Sequence, residues 1–229
     1  MKRFYKDVSV APSDDGFGLL LDGRPVKTPG RVPLAVPSAA LGDGIAEEWR
    51  GQDETIDPRA MPLTGLANAA IDRIAPDPAT FAAGLARYGE NDLLCYRAEA
   101  PVELAQWQAE AWDPYLAWAR SRYDVELKVT AGIVHMPQPE ATVERLGKAV
   151  GSRNPFELAG LSPLVTVSGS LVIALAVAES AFTPDQAWDA ATADERWQTE
   201  KWGADEEAVA ALANRRRDFY AGGRFLALL

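Results

Sequence analysis

Residues 158–178 carry no charge over 21 positions, and a chain must find somewhere dry to put them. That is membrane-span length. Ser162-Pro163, Thr166 and Ser168-Gly169-Ser170 interrupt the run, however, and Glu157 and Glu179 flank it with no basic cluster to anchor it. We read it as a core helix buried on most sides, and expect no membrane insertion.

The surrounding half of the chain reads as helical too. Pro101 takes a first-turn position, and Leu104, Trp107, Ala111, Tyr115 and Trp118 follow at helical spacing, with Pro114 expected to kink or restart that helix. Residues 125–134 alternate weakly, as a short strand or a loop, and residues 139–150 form a helix. Asn154-Pro155 then breaks the chain ahead of the apolar run. Thr183-Pro184-Asp185-Gln186 has the pattern of a capping box with proline at the first helical position, and Gly203 ends the helix begun there. A last helix covers residues 205–220, acidic at Glu206-Glu207 and basic at Arg215-Arg216-Arg217, as the helix dipole prefers. Gly222-Gly223 loosens the chain before the apolar tail.

The first 37 residues have another grammar. Residues 3–10 and 17–22 are β-rich, Asp22-Gly23 is a tight-turn pair, and residues 26–28 and 32–36 are short strands among prolines that suit edges and turns. Ser38 caps a helix reaching about residue 52, with Leu41, Ile45, Glu48 and Trp49 near one face. Residues 63–74 and 78–88 read as helices, and DLLCYR (92–97) as a buried strand returning to the sheet. The expected class is α+β: a small two-layer α/β N-terminal domain, residues 1–98, followed by an all-helical C-terminal domain, residues 99–229.

One helical stripe carries a charge. Trp188, Glu195 and Trp202 are seven apart, which returns to nearly one face of a continuous helix. A carboxylate in line with two tryptophans must find a partner, shift its pKa or await a ligand. The segment is also where the acidity sits. Residues 179–207 hold 2 basic and 9 acidic side chains, net −7, in a chain of net charge −10. That balance argues against nucleic acid and anionic membrane as partners.

Little else looks like chemistry. His135 is the one histidine, and there is no HExxH, CxxC, GxSxG, GxxxxGK[ST] or GxGxxG. No metal, cofactor or small-molecule substrate is expected. Cys95 excludes an internal disulfide, fits a reducing compartment and reads as a small buried hydrophobe. Asp194 and Glu195 are adjacent, so they point about 100° apart on a helix and cannot share a proton. Six of the seven tryptophans fall in the helical half. Most belong to the core, and those on the acidic helix can anchor another protein.

Six ordered blocks then resemble a known family: RFYKDVSV at the start, LDGRPVKTP (21–29), EEW..Q (47–52), MPLTGLANAAID (61–72), NDLLCYR (91–97) and WDPYLAW (112–118). They resemble the assembly chaperone for the α subunit of the ATP synthase catalytic head, the Atp-twelve family. The resemblance implies a non-enzymatic protein that binds the free α subunit, shields the surface destined for β, and releases α during F-type ATP synthase assembly. It also implies an essential acidic residue in the C-terminal domain. The stripe places that residue at Glu195, with Asp194 and Glu200 as the nearest alternatives and Trp188 and Trp202 as flanking anchors. Met1 and the lack of a transit peptide suit a bacterial, cytoplasmic member, or a chain that starts at the mature form of a mitochondrial one. Two other readings of Glu195 stand beside this one. It could be the general acid or base of a small hydrolase, or a structural residue salt-bridged to Arg153 or Arg215.

Overall fold

The computed structural model describes residues 1–203 and 205–229. By internal packing the chain gathers into two compact units. The first comprises Met1–Pro78, Asn154–Gly160 and Arg224–Leu229, and the second Ala79–Arg153 and Leu161–Gly223.

The first unit holds a small antiparallel sheet. Strands β1 (Val8–Ser13) and β2 (Gly16–Leu21) form a hairpin, and β3 (Arg24–Pro25) and β4 (Ala35–Val36) both pair with β2. Asp22 and Gly23, both at positive φ, make the two-residue turn into β3. Helix α1 (Ala39–Arg50) begins where Ser38 accepts the Leu41 N–H, and it buries Leu41, Ile45 and Ala46. Helix α2 (Pro62–Ala69) runs on into a π-helical turn, Ala70–Ile74.

Polar staples hold these pieces together. Asp22 Oδ1 accepts the N–H groups of Lys6 and Asp7, which hold its carboxyl below the usual range. Glu48 accepts from Leu63 N, Thr64 N and Thr64 Oγ1 at 2.6, 2.8 and 2.7 Å, capping the start of α2. Asp72 accepts from Thr28 Oγ1 at 2.6 Å and Gly30 N at 2.7 Å.

The second unit is helical apart from two short strands among the described residues. It contains α4 (Val102–Tyr123), α5 (Glu140–Gly151), α7 (Leu171–Ala178), α8 (Pro184–Ala191) and α9 (Ala193–Trp202). Most of α3 (Pro78–Ala86), α6 (Pro155–Ser168) and α10 (Glu206–Ala227) belongs to it as well. The uncharged run forms α6 and α7, separated at Gly169 (φ +70°), a conformation that glycine adopts without steric cost. Residues 171–177 of α7 are buried all round. Among the described residues, no helix is long and apolar enough to cross a membrane.

Asp92 is fully buried and ties the chain at residues 92–95 to α7. Its carboxylate accepts from Leu94 N at 3.1 Å and Val172 N at 3.0 Å, and from Leu171 N and the Ser170 hydroxyl. Burial nevertheless outweighs these bonds and pushes its carboxyl up to about 6. Cys95 beside it is buried, and burial raises its thiol to about 12, as suits an inert core residue.

Several expectations need correction. The DLLCYR segment forms a 3-10 turn at Leu93–Cys95 and then β5 (Tyr96–Arg97), which pairs parallel with β6 (Thr130–Ala131) and not with the N-terminal sheet. The region from residue 99 is therefore not all helical. Pro114 does not restart the helix, since α4 runs on through it; the residue is exposed, so water can take the carbonyl its missing N–H frees. Gly222-Gly223 lies inside α10. A Cβ on Gly223 would stand 3.2 Å from Pro184 Cγ, so the glycine allows a close helix approach instead of loosening the chain.

Candidate functional site

The segment expected as one helix over residues 183–203 is two. Its start is as read: Thr183 accepts the Gln186 N–H, and the Gln186 side chain accepts the Thr183 N–H. The break falls at Thr192 (φ −115°, ψ 24°). The Thr192 hydroxyl donates back to Trp188 O at 2.8 Å, a local bond that bends helices. The bend frees the Ala190 carbonyl at the end of α8, and α4 packs its indole donors along both sides of the break. Trp112 Nε1 donates to Ala190 O at 2.8 Å, and Trp107 Nε1 to Ala193 O at 2.9 Å.

The break dissolves the single stripe. Trp188, on α8, is 7% exposed and packs against Phe219 and Tyr220, so it is a core residue. Glu195 and Trp202 share α9. Trp202 is 74% exposed at the end of that helix, edge-on to the buried Trp197 with centroids 5.4 Å apart. Glu200 and Lys201 beside it are exposed, and so are Asp205, Glu206 and Glu207 where α10 begins.

The acidic residues at the start of α9 are engaged. Asp194 Oδ1 accepts from Gln108 Nε2 at 2.7 Å; Gln108, on α4, is buried and also accepts the Ala98 N–H. Glu195 Oε1 pairs with Arg215 Nη1 at 2.8 Å, and Arg215 Nη2 donates to Val167 O at 3.1 Å. Arg215 thus links α10 to both α9 and α6. Both side chains are about two-fifths exposed. A guanidinium neither gives nor takes a proton near neutral pH, so this pair is no acid–base couple. Arg153, the other suggested partner, pairs with Glu179 at 2.9 Å.

His135 is exposed, with Nδ1 2.6 Å from Asn91 Oδ1. Among the described residues no group of three or more His, Cys, Asp and Glu side chains is arranged to hold a metal ion. α9 ends on the exposed Trp202 indole, with the exposed Glu200 and Lys201 just before it in sequence. The supporting roles of Gln108, Trp107 and Trp112 escaped the sequence reading. Helical spacing marked Trp107 only as part of a packed face, and Gln108 and Trp112 lay outside that spacing.

Comparison with known proteins adds identity to this geometry. The model of a family described as ATP12 chaperone protein matches residues 2–120. The protein atp12, mitochondrial, of Schizosaccharomyces pombe is 26% identical over 219 residues, covering 90% of this chain and 75% of its own. The crystal structure of Atp12 from Paracoccus denitrificans is 43% identical, with a TM-score of 0.95 over 99% of this chain and 97% of that one. An aspartate-to-lysine mutant of the same bacterial protein superposes with a TM-score of 0.94 at 42% identity, with the same coverage.

Proposed function

The chain belongs to the ATP12 chaperone family, chaperones of ATP synthase assembly, and on that premise we propose that it binds the free α subunit of the F-type catalytic head. In this reading it covers the surface of α destined for β and gives α up as the α/β hexamer forms. The role is binding, not catalysis. An apolar subunit-contact surface aggregates until something covers it. A reversible cover needs a modest interface with an aromatic anchor and charges that complement the client.

The observation that supports α9 as the docking face is Trp202, an indole left 74% exposed on the most acidic stretch of the chain. Trp202 anchors in an apolar dent of the client, and Glu200 meets a client lysine or arginine. Asp194 and Glu195 complete the negative field, and Trp188 braces α8 from within the core. We place the protein in the bacterial cytoplasm, by its likeness to the Paracoccus denitrificans structure.

The Glu195–Arg215 pair favours a second role for one residue: Glu195 orients α9 for docking and does not itself meet the client. Two variants separate the roles. Trp202→Ala is expected to weaken capture of separately expressed α at least about tenfold in a calorimetric titration, with the melting temperature unchanged. If Glu195 only orients α9, Glu195→Gln lowers the melting temperature and weakens capture in proportion. If it contacts the client, capture falls with the melting temperature unchanged. Full affinity in both variants refutes the docking face, and a wild-type protein that captures no α refutes the function.

A further inference from the structure

Residues 128–138 lift two aliphatic side chains into solvent and hold them there. Ile133 is 97% exposed and Val134 is 78% exposed. Single exposed aliphatic residues are ordinary; this adjacent pair sits on a backbone fixed from three sides. At the neck, Gln138 Nε2 donates to Lys128 O at 3.0 Å while Gln138 Oε1 accepts the Lys128 N–H at 2.8 Å. On one flank β6 pairs with β5, and the Gly132 N–H extends that pairing to Arg97 O at 2.9 Å. On the other, His135 is held to Asn91, whose Oδ1 also accepts the Tyr96 hydroxyl at 3.2 Å. Folding has already met the entropy cost of presenting the pair, which a mobile loop would lose on binding.

A cleft of about 390 Å³ adjoins this tip, lined in part by Glu90, His135, Glu140, Val143 and Glu144. Glu144 is engaged by Lys148 at 2.6 Å, whereas Glu90 and Glu140 have no ion-pair partner among the described residues. Glu99 adds a further carboxylate against Gly132. The tip is therefore apolar at its apex and anionic at its base. A second copy of a chain with net charge −10 would bring mostly like charge to that base, and so would an anionic membrane. A cationic partner is the one the field attracts.

We propose that the Ile133-Val134 tip and its acidic cleft are a second client contact, separate from α9. It takes a segment of the α subunit in which a lysine or arginine lies beside apolar side chains. The aliphatic pair seats in an apolar dent, and the cation enters the cleft lined by Glu90 and Glu140. The identity of the occupant rests on the reading that this protein holds α.

The experiment is a calorimetric titration of purified α into the full chain at two salt concentrations. Ile133→Asp/Val134→Asp should weaken binding at least about tenfold, while Ile133→Leu/Val134→Ile stays within about threefold of wild type. Glu90→Lys/Glu140→Lys should also weaken binding, and should flatten the salt dependence seen in the wild type. Melting temperatures should be unchanged for the two tip variants, whose side chains are exposed, and Glu90→Lys/Glu140→Lys is titrated well below its own melting temperature because Glu140 opens α5 and lysine there opposes the helix dipole. Unchanged affinity of Ile133→Asp/Val134→Asp, alongside weakened binding by Trp202→Ala, overturns this contact and leaves the proposed function standing. A wild-type protein that binds no α removes both.

Discussion

Asp92→Asn tests the energetics of the buried carboxylate at the start of α7. The Asp92 carboxyl has no exposed surface, and burial raises it from 3.8 to about 6 against the pull of its hydrogen bonds. The folded state therefore binds this proton more tightly than the unfolded chain does. Between about pH 4 and pH 6 the native protein holds more protons, so stability rises as pH falls through 6 and the gain is complete below about 4. A gap of about two pKa units corresponds to about 3 kcal/mol in full, of which a little under half has accrued by pH 5. Asparagine keeps the shape and one acceptor but does not titrate. The assay is urea unfolding followed by tryptophan fluorescence, for wild type and Asp92→Asn, at pH 7.5, 6.0 and 5.0. Taking the difference between the two proteins cancels the other titrating groups. That difference should move in favour of the wild type by about 1 kcal/mol from pH 7.5 to pH 5.0. A difference that stays constant, or moves the other way, refutes the reasoning.

Two further outcomes follow from the staples. Asp72→Ala removes the acceptor of the buried Thr28 hydroxyl and leaves the exposed Gly30 N–H to water, and should cost about 1 kcal/mol in chemical denaturation, with Asp72→Asn losing roughly half of that. Trp112→Phe keeps an aromatic ring but removes the donor to Ala190 O. It should destabilise by about 1–3 kcal/mol, whereas Trp118→Phe should cost less, if indole N–H bonds rather than ring volume fix the α8–α9 bend.

Local chemistry written in adjacent residues was legible. Ser38 at the start of α1, the Thr183–Gln186 capping box and the Asp22-Gly23 turn all depend on side chains a few positions apart, and the structure has each of them. The family blocks were legible for a related reason. Asp22, Thr28, Glu48, Thr64 and Asp72 all fall in those blocks, and each is a staple of the first unit. What stayed hidden depends on partners far along the chain. DLLCYR looks like any apolar strand until β6 is found 34 residues on. The bend at Thr192 is invisible to a seven-residue spacing, because the donors that stabilise it lie on α4, 78 and 86 residues away. That one miss put Trp188 on the same face as Glu195. The pairing of Glu195 with Arg215 was among the alternatives, but nothing in the sequence ranked it above a client contact.

The two indole bonds at the bend make the direction of the acidic helix an imposed property. Residues 184–202 contain no proline or glycine after Pro184, and nothing in their backbone forbids one straight rod. At the bend the Thr192 hydroxyl turns back to Trp188 O, and Trp112 supplies a donor to Ala190 O. On the proposed docking role of Trp202, α4 is the mount that sets where that side chain stands, through bonds made 9 and 12 residues before it in sequence.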